Sequence, residues 1–482
     1  MKYEIDRRAL LRMGAAATFV AGAQAFVGIP ALADYAAGPA LRRNAFTMAA
    51  NDPVLRGYRK AIQAMRALPD TNPCSWFYQA AIHGTTDPRG LTAWNTCHID
   101  SSFFWAWHRM YLDWFERIVR KYSGMYDWAI PYWDWTNPAQ RALPQPFRVQ
   151  GNTLYDATRN SAVNAGASLS TSLATSVANA MTLLDYFSTQ SSVNGPHGSV
   201  HVSVGGNMGS IYTAAQDPIF WAHHSQVDRL WNLWLAQGGG RSSPVGNATW
   251  RNTTYTFFDE CCQAVTMKGC DIIRAAQQLS YTYEGEPPQV QQYCPIAWIP
   301  VLAELKSLVV WQPRTVLSGK PVRVPLAPAA ERESLGKQLH AFAPAPRQNA
   351  FLQIKGIEAE TQPGISWEVY VGPRGFRPVP QSPYFVGIFA LFSAGLKTRK
   401  EHYRPAEFAF PLGRVLEAAP DPANLEVVYV PSSGLETKEP MLEKLDVRSR
   451  LTVGEMSVAV DTAMPQPPAE EQDRLRREEE QK

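Results

Sequence analysis

Excess charge is what this sequence most plainly lacks. Its 482 residues include 46 Lys and Arg against 43 Asp and Glu, which gives a net charge of +3. Proteins that bind nucleic acid or an anionic membrane surface usually carry a clear surplus of basic residues. We therefore expect no nucleic-acid partner and no charge-driven membrane binding. Apolar residues make up 45% of the chain, which is enough to bury sizeable cores.

Long apolar runs are also scarce, and the one that approaches spanning length lies at the N-terminus. There, Arg7 and Arg8 precede a run rich in Ala and Gly that ends in Ala31-Leu32-Ala33, a pattern typical of a cleavage site. The segment resembles a twin-arginine signal, which makes the twin-arginine export machinery a partner. We expect removal of residues 1–33 and a periplasmic or secreted protein, exported folded, with no stable membrane anchor.

Cysteine is sparse, with six residues in the chain. None of their spacings is that of a zinc knuckle. Export would permit disulfides, but six cysteines allow many pairings, so the connectivity stays open. The cysteines are Cys74, Cys97, Cys261, Cys262, Cys270 and Cys294.

Composition divides the rest of the chain into four parts. Residues 34–301 alternate helical, aromatic-rich segments with loops and contain seven of the nine histidines. Residues 302–348 are rich in Pro, Ala and charge, which predicts a linker with exposed protease sites such as Lys320. Residues 349–462 contain runs such as SWEVYVG and LEVVYVP, which predict a small all-β domain. The charged tail 463–482 shows no apolar periodicity.

Two adjacent histidines stand in the stretch DPIFWAHHSQVDRLW, residues 217–231. Asp217 is a good N-cap and Pro218 fits the first position of a helix, so we predict that a helix starts here. Neighbouring residues on a helix point about 100° apart. His223 and His224 therefore cannot both face one centre, and at most one of them is a metal ligand.

Further histidines fall into a pattern that suits metal binding. The segment SSFFWAWHRMYLDWFERIVRKYSG predicts a helix from a Ser start to a Gly stop with His108 inside it, and His83 and His98 precede it. Further along, PHGSVH places His197 and His201 one helical turn apart. No neighbouring thiolate or carboxylate clearly completes a zinc site, and an all-imidazole set suits copper. Two copper ions are the economical interpretation.

The segments FFWAWHRMYLDWFERI and HGSVHVSVGGNM…DPIFWAHHSQVDRLWNLW resemble the two copper-binding regions of the tyrosinase family, which includes catechol oxidases and molluscan haemocyanins. The likeness covers roughly residues 75–240 and implies an antiparallel four-helix bundle with a type-3 dicopper centre. It implies that His223 packs behind the ligands. Carried over by position, it gives copper A the ligands His83, His98 and His108, and copper B the ligands His197, His201 and His224.

The C-terminal part is similar to the β-sandwich of plant polyphenol oxidases, on runs such as IKGIEAE, SWEVYVGP and YFVGIFALFS. In those enzymes the sandwich covers the copper site and keeps the enzyme latent, so we expect latency here until the domain is displaced or cleaved. The predicted fold class is α+β multidomain, with an antiparallel four-helix bundle dicopper domain followed by an all-β sandwich domain.

The copper A region departs from the family pattern. His98 and His108 are ten residues apart, which is a longer spacing than the family usually has. Many relatives link a cysteine to the second copper A histidine by a thioether. Cys97 directly adjoins His98, so such a bond looks strained, and we assign Cys97 to a disulfide or to a reduced thiol.

The likeness also suggests which phenols are oxidised. Relatives that hydroxylate monophenols often hold an activating water with a Glu and an Asn, and Val193 and Gly198 occupy those positions here. Ile211 matches a gate position above the coppers, or is an ordinary core residue. We predict an oxidase that converts o-diphenols to o-quinones and reduces dioxygen to water. The alternatives are a tyrosinase with monophenol hydroxylation, an o-aminophenol oxidase, and a haemocyanin-like dioxygen carrier without enzyme activity.

Overall fold

A computed structural model describes residues 39–97, 100–287, 292, 294, 305–341, 350–392, 395–397, 404–419, 421–436 and 447–461. The predicted signal peptide, the candidate ligand His98 and the charged tail lie outside these ranges. The helical part and the β-rich part both fall within the compact unit Pro39–Lys482. Across the described ranges, no helix is long and apolar enough to cross a membrane.

Helices dominate the first half of the chain, and local capping explains where they begin and end. Asp52, Ser75 and Asp185 each accept a backbone N–H from the first turn of the helix that follows. Gly124 adopts a left-handed φ of 75° and ends the third helix where the sequence predicted a stop. The α-helices are Pro53–Arg66 (α1), Trp76–His83 (α2), Phe104–Ser123 (α3), Ser161–Asn164 (α4), Thr171–Ala180 (α5), Tyr186–Val204 (α6), Ile219–Ala236 (α7), Ala248–Asn252 (α8), Arg332–Ala341 (α9) and Gly413–Ala418 (α10).

The two helices predicted from the histidine motifs are confirmed, with small shifts at their starts. α7 begins at Ile219, and Asp217 Oδ1 accepts the N–H of Ile219 at 3.0 Å. α3 is preceded by the 3-10 turn Ser101–Phe103, which Asp100 caps. Such shifts are ordinary because the end turns of helices often adopt 3-10 geometry.

Two four-stranded antiparallel sheets make up most of the C-terminal part. The strands are Ala40–Arg42 (β1), Thr254–Phe258 (β2), Ala264–Lys268 (β3), Tyr281–Tyr283 (β4), Leu305–Trp311 (β5), Thr315–Leu317 (β6), Val322–Pro325 (β7), Ala350–Ile357 (β8), Ser366–Pro373 (β9), Phe385–Phe389 (β10), Ala406–Pro411 (β11), Leu425–Ser432 (β12), Leu451–Val453 (β13) and Glu455–Asp461 (β14). The sheet orders are β10-β9-β12-β7 and β11-β8-β14-β5. Trp367 of one sheet and Leu352 of the other lie in the same buried core, as in a sandwich.

The prediction of a linker over residues 302–348 is wrong where the structure describes that range. β5 pairs with β14, β6 with β13, and β7 with β12. β5 and β7 are the outer strands of their sheets. Edge strands tolerate Pro and charged residues because one side of the backbone needs no partner. The composition that indicated a linker, including Arg323 and Pro325 in β7, therefore belongs to sheet edges.

The β-rich part packs against α5 and α6. Gly195 of α6 lies so close to β10 that an added Cβ would come 2.5 Å from the Ile388 carbonyl oxygen. Ser176 Oγ of α5 accepts the N–H of Ile388 at 3.2 Å. Because α6 also carries His197 and His201, the sheet is fixed to the helix that bears two candidate ligands.

A buried ion-pair network ties the first strand to the helices. Arg42 of β1 contacts Glu116 at 2.9 Å and Asp228 at 3.2 Å. Arg109 contacts the other carboxylate oxygen of Asp228 at 2.5 Å. Burial alone would raise the pKa of Asp228, but Arg109 and Arg42 outweigh burial and lower it. These side chains are shielded from solvent, so salt screens their attraction little.

Replacing Asp228 by Asn should lower the free energy of unfolding by about 3–5 kcal/mol, because Arg42 and Arg109 would lose the buried charge they share. Urea unfolding at equal copper content measures the loss. Asp70→Asn is the control, since Asp70 pairs with Arg89 at the exposed surface and solvent weakens that pair. Equal losses in the two variants would contradict a stabilising role for the buried network.

Candidate metal centre

Four helices bring five histidines together. Each of the five is buried, with at most 2% of its surface exposed. They are His83 at the end of α2, His108 in α3, His197 and His201 one turn apart in α6, and His224 in α7. Five of the six predicted ligands therefore converge, and the sixth, His98, lies outside the described residues.

Three of the ring nitrogens form a compact triangle. Nε2 of His201 lies 3.1 Å from Nε2 of His197 and 3.2 Å from Nε2 of His224, and the third side measures 3.4 Å. An ion bound by three imidazoles at about 2.0–2.1 Å needs donor nitrogens about 3.3–3.6 Å apart. The triangle therefore fits one ion after an outward adjustment of a few tenths of an ångström.

A second group consists of His83, His108 and His224, whose donor atoms all lie within 4.8 Å of one another. The rings of His108 and His224 are stacked, with centroids 4.1 Å apart. His224 thus lies between the two groups. The triangle supports assigning His224 to the same ion as His197 and His201. His83 and His108 are then left for the other ion.

The second ring nitrogen of four histidines has a defined acceptor. Carbonyl and amide oxygens only accept, so each Nδ1 carries the hydrogen and each Nε2 offers its lone pair to the centre. These positioning contacts were not predicted from the sequence, although Phe104 and Asn194 each stand one helical turn before the histidine they hold. The Nδ1 groups donate from His83 to Ile211 O at 3.2 Å, from His108 to Phe104 O at 2.7 Å, from His197 to Asn194 Oδ1 at 3.1 Å and from His201 to Met208 O at 3.0 Å.

Burial keeps these imidazoles uncharged. It lowers the pKa of His108 to about 4, although the Phe104 carbonyl opposes the shift. It also lowers the pKa values of His197, His201 and His224 well below the ordinary value, and neighbouring histidines add to the effect. A neutral imidazole has a lone pair to offer, so the donor set suits a cation at neutral pH.

His223 lies next to the triangle. It is fully buried, and its ring is nearly parallel to that of His197 with centroids 5.2 Å apart. Neither of its ring nitrogens has a hydrogen-bond partner among the described residues. One of them lies within 4.8 Å of the donor atoms of the triangle. The assignment of His224 rather than His223 as the ligand therefore stays a prediction.

Two disulfides supply the connectivity that the sequence left open. They join Cys74 to Cys262 and Cys270 to Cys294. Cys97 belongs to neither, so the disulfide alternative for this residue is wrong. Its Sγ lies 3.4 Å from His108 Nε2, which places the sulfur beside a candidate copper A ligand.

Position 198 is crowded by the β-rich part. A Cβ added at Gly198 would lie 3.4 Å from the Ala390 carbonyl oxygen and 3.4 Å from Phe392 Cβ. Phe392 follows β10, and its ring stacks on that of His201 with centroids 3.9 Å apart and 14° between the planes. An aromatic ring from the C-terminal part therefore covers one face of a candidate ligand.

Val193 and Ile211 also lie close to the histidines. Val193 is fully buried one turn before His197 and offers no hydrogen-bonding group. Ile211 presents its carbonyl oxygen to His83, and a Cβ added at Gly84 would come 2.5 Å from that oxygen. The structure thus gives the Ile211 backbone a positioning contact, and the gate function of its side chain stays a prediction.

Comparison with known proteins identifies this arrangement. Residues 73–181 and 150–237 match the common central domain of tyrosinase, and residues 245–299 match the polyphenol oxidase middle domain. The chain thus carries the common central domain of tyrosinase. Tyrosinase HcTyr1 of Hahella sp. is 32% identical over 50% of this chain and 62% of its own length. A chloroplastic polyphenol oxidase of Vitis vinifera is 26% identical over 79% of this chain and 71% of its own length.

Solved structures of latent tyrosinase-family enzymes share the fold. Latent apple tyrosinase aligns with a TM-score of 0.63 at 21% identity, over 88% of this chain and 98% of that chain. A recombinant latent aurone synthase aligns with a TM-score of 0.63 at 23% identity, over 89% and 90%. The predicted fold class, a helical domain followed by an all-β sandwich, is confirmed by these alignments and by the observed sheets.

The match to the tyrosinase domain also indicates the cofactor, which is a pair of copper ions. Tyrosinases hold a type-3 pair of copper ions, and the neutral imidazoles of this chain fit that requirement. The relatives, named polyphenol oxidase and tyrosinase, identify this chain as an oxidase. The chain spans between 46% and 71% of the lengths of the curated relatives it matches.

Proposed function

We propose that this protein oxidises o-diphenols to o-quinones, with two diphenols consumed for each dioxygen reduced to two waters. The observation that carries the proposal is the triangle of Nε2 atoms beside a second group of buried imidazoles. Copper, when bound, supplies dioxygen binding and electron transfer. The ligands would be His83, His98 and His108 for one ion and His197, His201 and His224 for the other.

The chain itself contributes a buried site of fixed geometry. The Phe220 ring lies 4.2 Å from that of His224, and the Phe104 ring lies 4.8 Å from that of His197. The four Nδ1 contacts hold the ring orientations, so the donor atoms need little rearrangement when an ion binds.

The preference for diphenols over monophenols depends on a base that can accept the phenol proton. Val193 has no ionisable group, and Gly198 lies where a larger side chain would meet Ala390 and Phe392. Neither position can hold an activating water as the Glu and Asn of hydroxylating relatives do. This absence supports catechol oxidation over monophenol hydroxylation.

Oxygen uptake by the copper-loaded full chain tests that preference. We expect 4-methylcatechol to be oxidised at least about ten times faster than p-cresol, because general-base catalysis is missing. Val193→Glu should raise the p-cresol rate relative to 4-methylcatechol, since a carboxylate one turn before His197 can accept the proton. Val193→Gln has the same size without the base and should not. A wild-type chain that is equally fast on both substrates would contradict the proposal.

The same assay separates the alternatives. A haemocyanin-like carrier would take up no more than one dioxygen per copper pair and would then stop, whereas an oxidase continues until the phenol is consumed. An o-aminophenol oxidase would turn over 2-aminophenol faster than 4-methylcatechol. Sustained uptake with the diphenol as the better substrate supports the proposed function.

We further propose that the β-rich part keeps the enzyme latent. The Phe392 ring stacks on His201 and lies 6.0 Å from the His197 ring and 6.3 Å from the His83 ring. A substrate ring cannot occupy the same space. Relatives of similar fold are described as latent forms, which supports the same behaviour here.

Export through the twin-arginine machinery is also a proposal, supported by Arg7 and Arg8 ahead of the Ala-rich run. Plant relatives, such as those of Vitis vinifera and Malus domestica, are named chloroplastic, so the destination has to be measured for this chain. Mass spectrometry of the mature protein tests the cleavage after Ala33. A mature chain that keeps Arg7 and Arg8 would contradict it.

A further inference from the structure

A cavity of about 290 Å³ opens beside His108, between the helical part and the β-rich part. Its inner walls are aromatic and include Phe104, Trp107 and Phe392. Ligand pockets in proteins commonly measure about 300–1,000 Å³. This cavity is at the small end of that range, so it suits a single ring with a short substituent.

The wall of the cavity includes His108, a candidate copper ligand. A diphenol whose oxygens point toward His108 would place its ring substituent toward the exposed residues at the mouth of the cavity.

The mouth of the cavity is charged. Asp100 comes from the helical part, and Arg404 and Glu407 come from the β-rich part. Among the described residues, none of the three takes part in an ion pair shorter than 4.0 Å. Among the described residues of the mouth, two carboxylates stand against one guanidinium.

Asp100 is the best fixed of these three groups. Its Oδ1 accepts the N–H of Ser102 at 2.9 Å and the hydroxyl of Ser102 at 2.5 Å, because Asp100 caps the turn that leads into α3. The carboxylate of Asp100 also acts on Tyr255, which lines the cavity. Burial raises the pKa of Tyr255, and the negative charge of Asp100 raises that pKa further. Tyr255 is therefore neutral, and a substituent on the substrate meets Asp100 as a fixed negative charge.

We propose that Asp100 is a specificity-determining residue that favours catechols with a short protonated amine side chain over neutral and acidic catechols. This rests on the proposed diphenol oxidation. Glu407 adds to the preference and Arg404 opposes it. The ammonium group lies at the mouth, near Asp100, while the two phenol oxygens point toward the histidines. This cavity exists with the β-rich part in place, so the expected effect applies to the turnover that the full chain retains.

Steady-state oxygen uptake by the copper-loaded full chain tests the proposal with dopamine, 4-methylcatechol and 3,4-dihydroxyphenylacetate. Asp100→Asn keeps the capping oxygen and removes the charge. It should lower the ratio of kcat/KM for dopamine to that for 4-methylcatechol about two- to fivefold, the range expected for one partly exposed charge pair. The change should appear in KM and not in kcat, because the ammonium group meets Asp100 equally in the bound substrate and in the transition state.

Two further variants provide the controls. Arg404→Gln should raise the same ratio, because it removes the opposing charge. Glu417→Gln changes an exposed carboxylate in α10, outside the cavity, and should leave the ratio unchanged. An equal fall on all three substrates in Asp100→Asn, or an unchanged ratio, would overturn the proposal.

A binding measurement keeps this test separate from the proposed oxidation. Phenethylamine should bind the metal-free full chain, and Asp100→Asn or added salt should weaken the binding measured by calorimetry. If 4-methylcatechol is not oxidised at all, the proposed function is wrong. The binding measurement still shows whether Asp100 attracts the ammonium group. Binding of phenethylamine that is insensitive to both Asp100→Asn and salt would overturn the proposal on Asp100.

Discussion

Replacing His224 by Ala is expected to remove about one of the two copper ions from each chain and to abolish diphenol oxidation. His224 Nε2 lies 3.2 Å from Nε2 of His201 and 3.4 Å from Nε2 of His197. Two imidazoles alone leave the ion without its third donor. Even groups that merely orient a ligand cost about 10–100-fold in metal affinity or activity when removed, so we expect a larger loss from removing a ligand.

His223→Ala is the matched control, because both residues are fully buried on the same helix and lose the same number of atoms. This variant should keep most of both coppers, since His223 stacks on the ring of His197 instead of completing the triangle. Copper per chain after dialysis is the measurement, and circular dichroism checks that both variants fold. If His223→Ala lost an ion while His224→Ala kept both, the assignment of the ligand would be wrong.

Replacing Phe392 by Ala in the full chain is expected to raise the turnover of diphenols per copper about tenfold or more. The ring lies 3.9 Å from that of His201 in a stacked arrangement, which is space that a substrate ring needs. Removing the ring opens that space without removing the domain. Phe392→Leu is the matched control, because its side chain still fills much of the volume, and it should give a much smaller increase.

Turnover per copper on a small and a bulky diphenol measures this effect, and thermal unfolding shows whether the variant stays folded, since loss of a buried Phe ring costs about 3–5 kcal/mol. Unchanged turnover of a folded Phe392→Ala chain on both diphenols would show that Phe392 does not block the site. The test is sharper than proteolysis. Arg323, in the range expected to be a linker, lies in β7 and is paired with β12, so cleavage there would leave the sheets associated.

For the proposed latency, the interface favours activation by displacement of the β-rich part over activation by its release. Ile388 and Phe392 of the C-terminal part belong to the same buried core as the helices. Gly195 and Gly198 have no side chains, so the segment from Ile388 to Phe392 can lie close to the backbone of α6. Separating the two parts would expose this apolar surface to water, and an exposed patch of that kind favours aggregation.

Local sequence features determined much of the helical part and of its metal site. Asp217 and Pro218 mark a helix start because a carboxylate can cap the first turn and proline needs no amide hydrogen there. The four-residue spacing of His197 and His201 places both on one face, because one turn takes about 3.6 residues. The helices and the likeness to tyrosinases could be read from the sequence alone, since capping and periodicity act within a few residues.

Only the tertiary structure decided the contacts between distant segments. Phe392 covers His201 across a separation of 191 residues, and nothing in its local run distinguishes it from the other aromatic residues of the sandwich. The disulfide between Cys74 and Cys262 likewise joins residues that are 188 positions apart, and no local pattern predicts it. The strand β7 carries linker-like residues because it lies at a sheet edge. Contacts between distant segments depend on which surfaces pack together in the folded chain. The periodicity of one segment does not say which other segment it contacts.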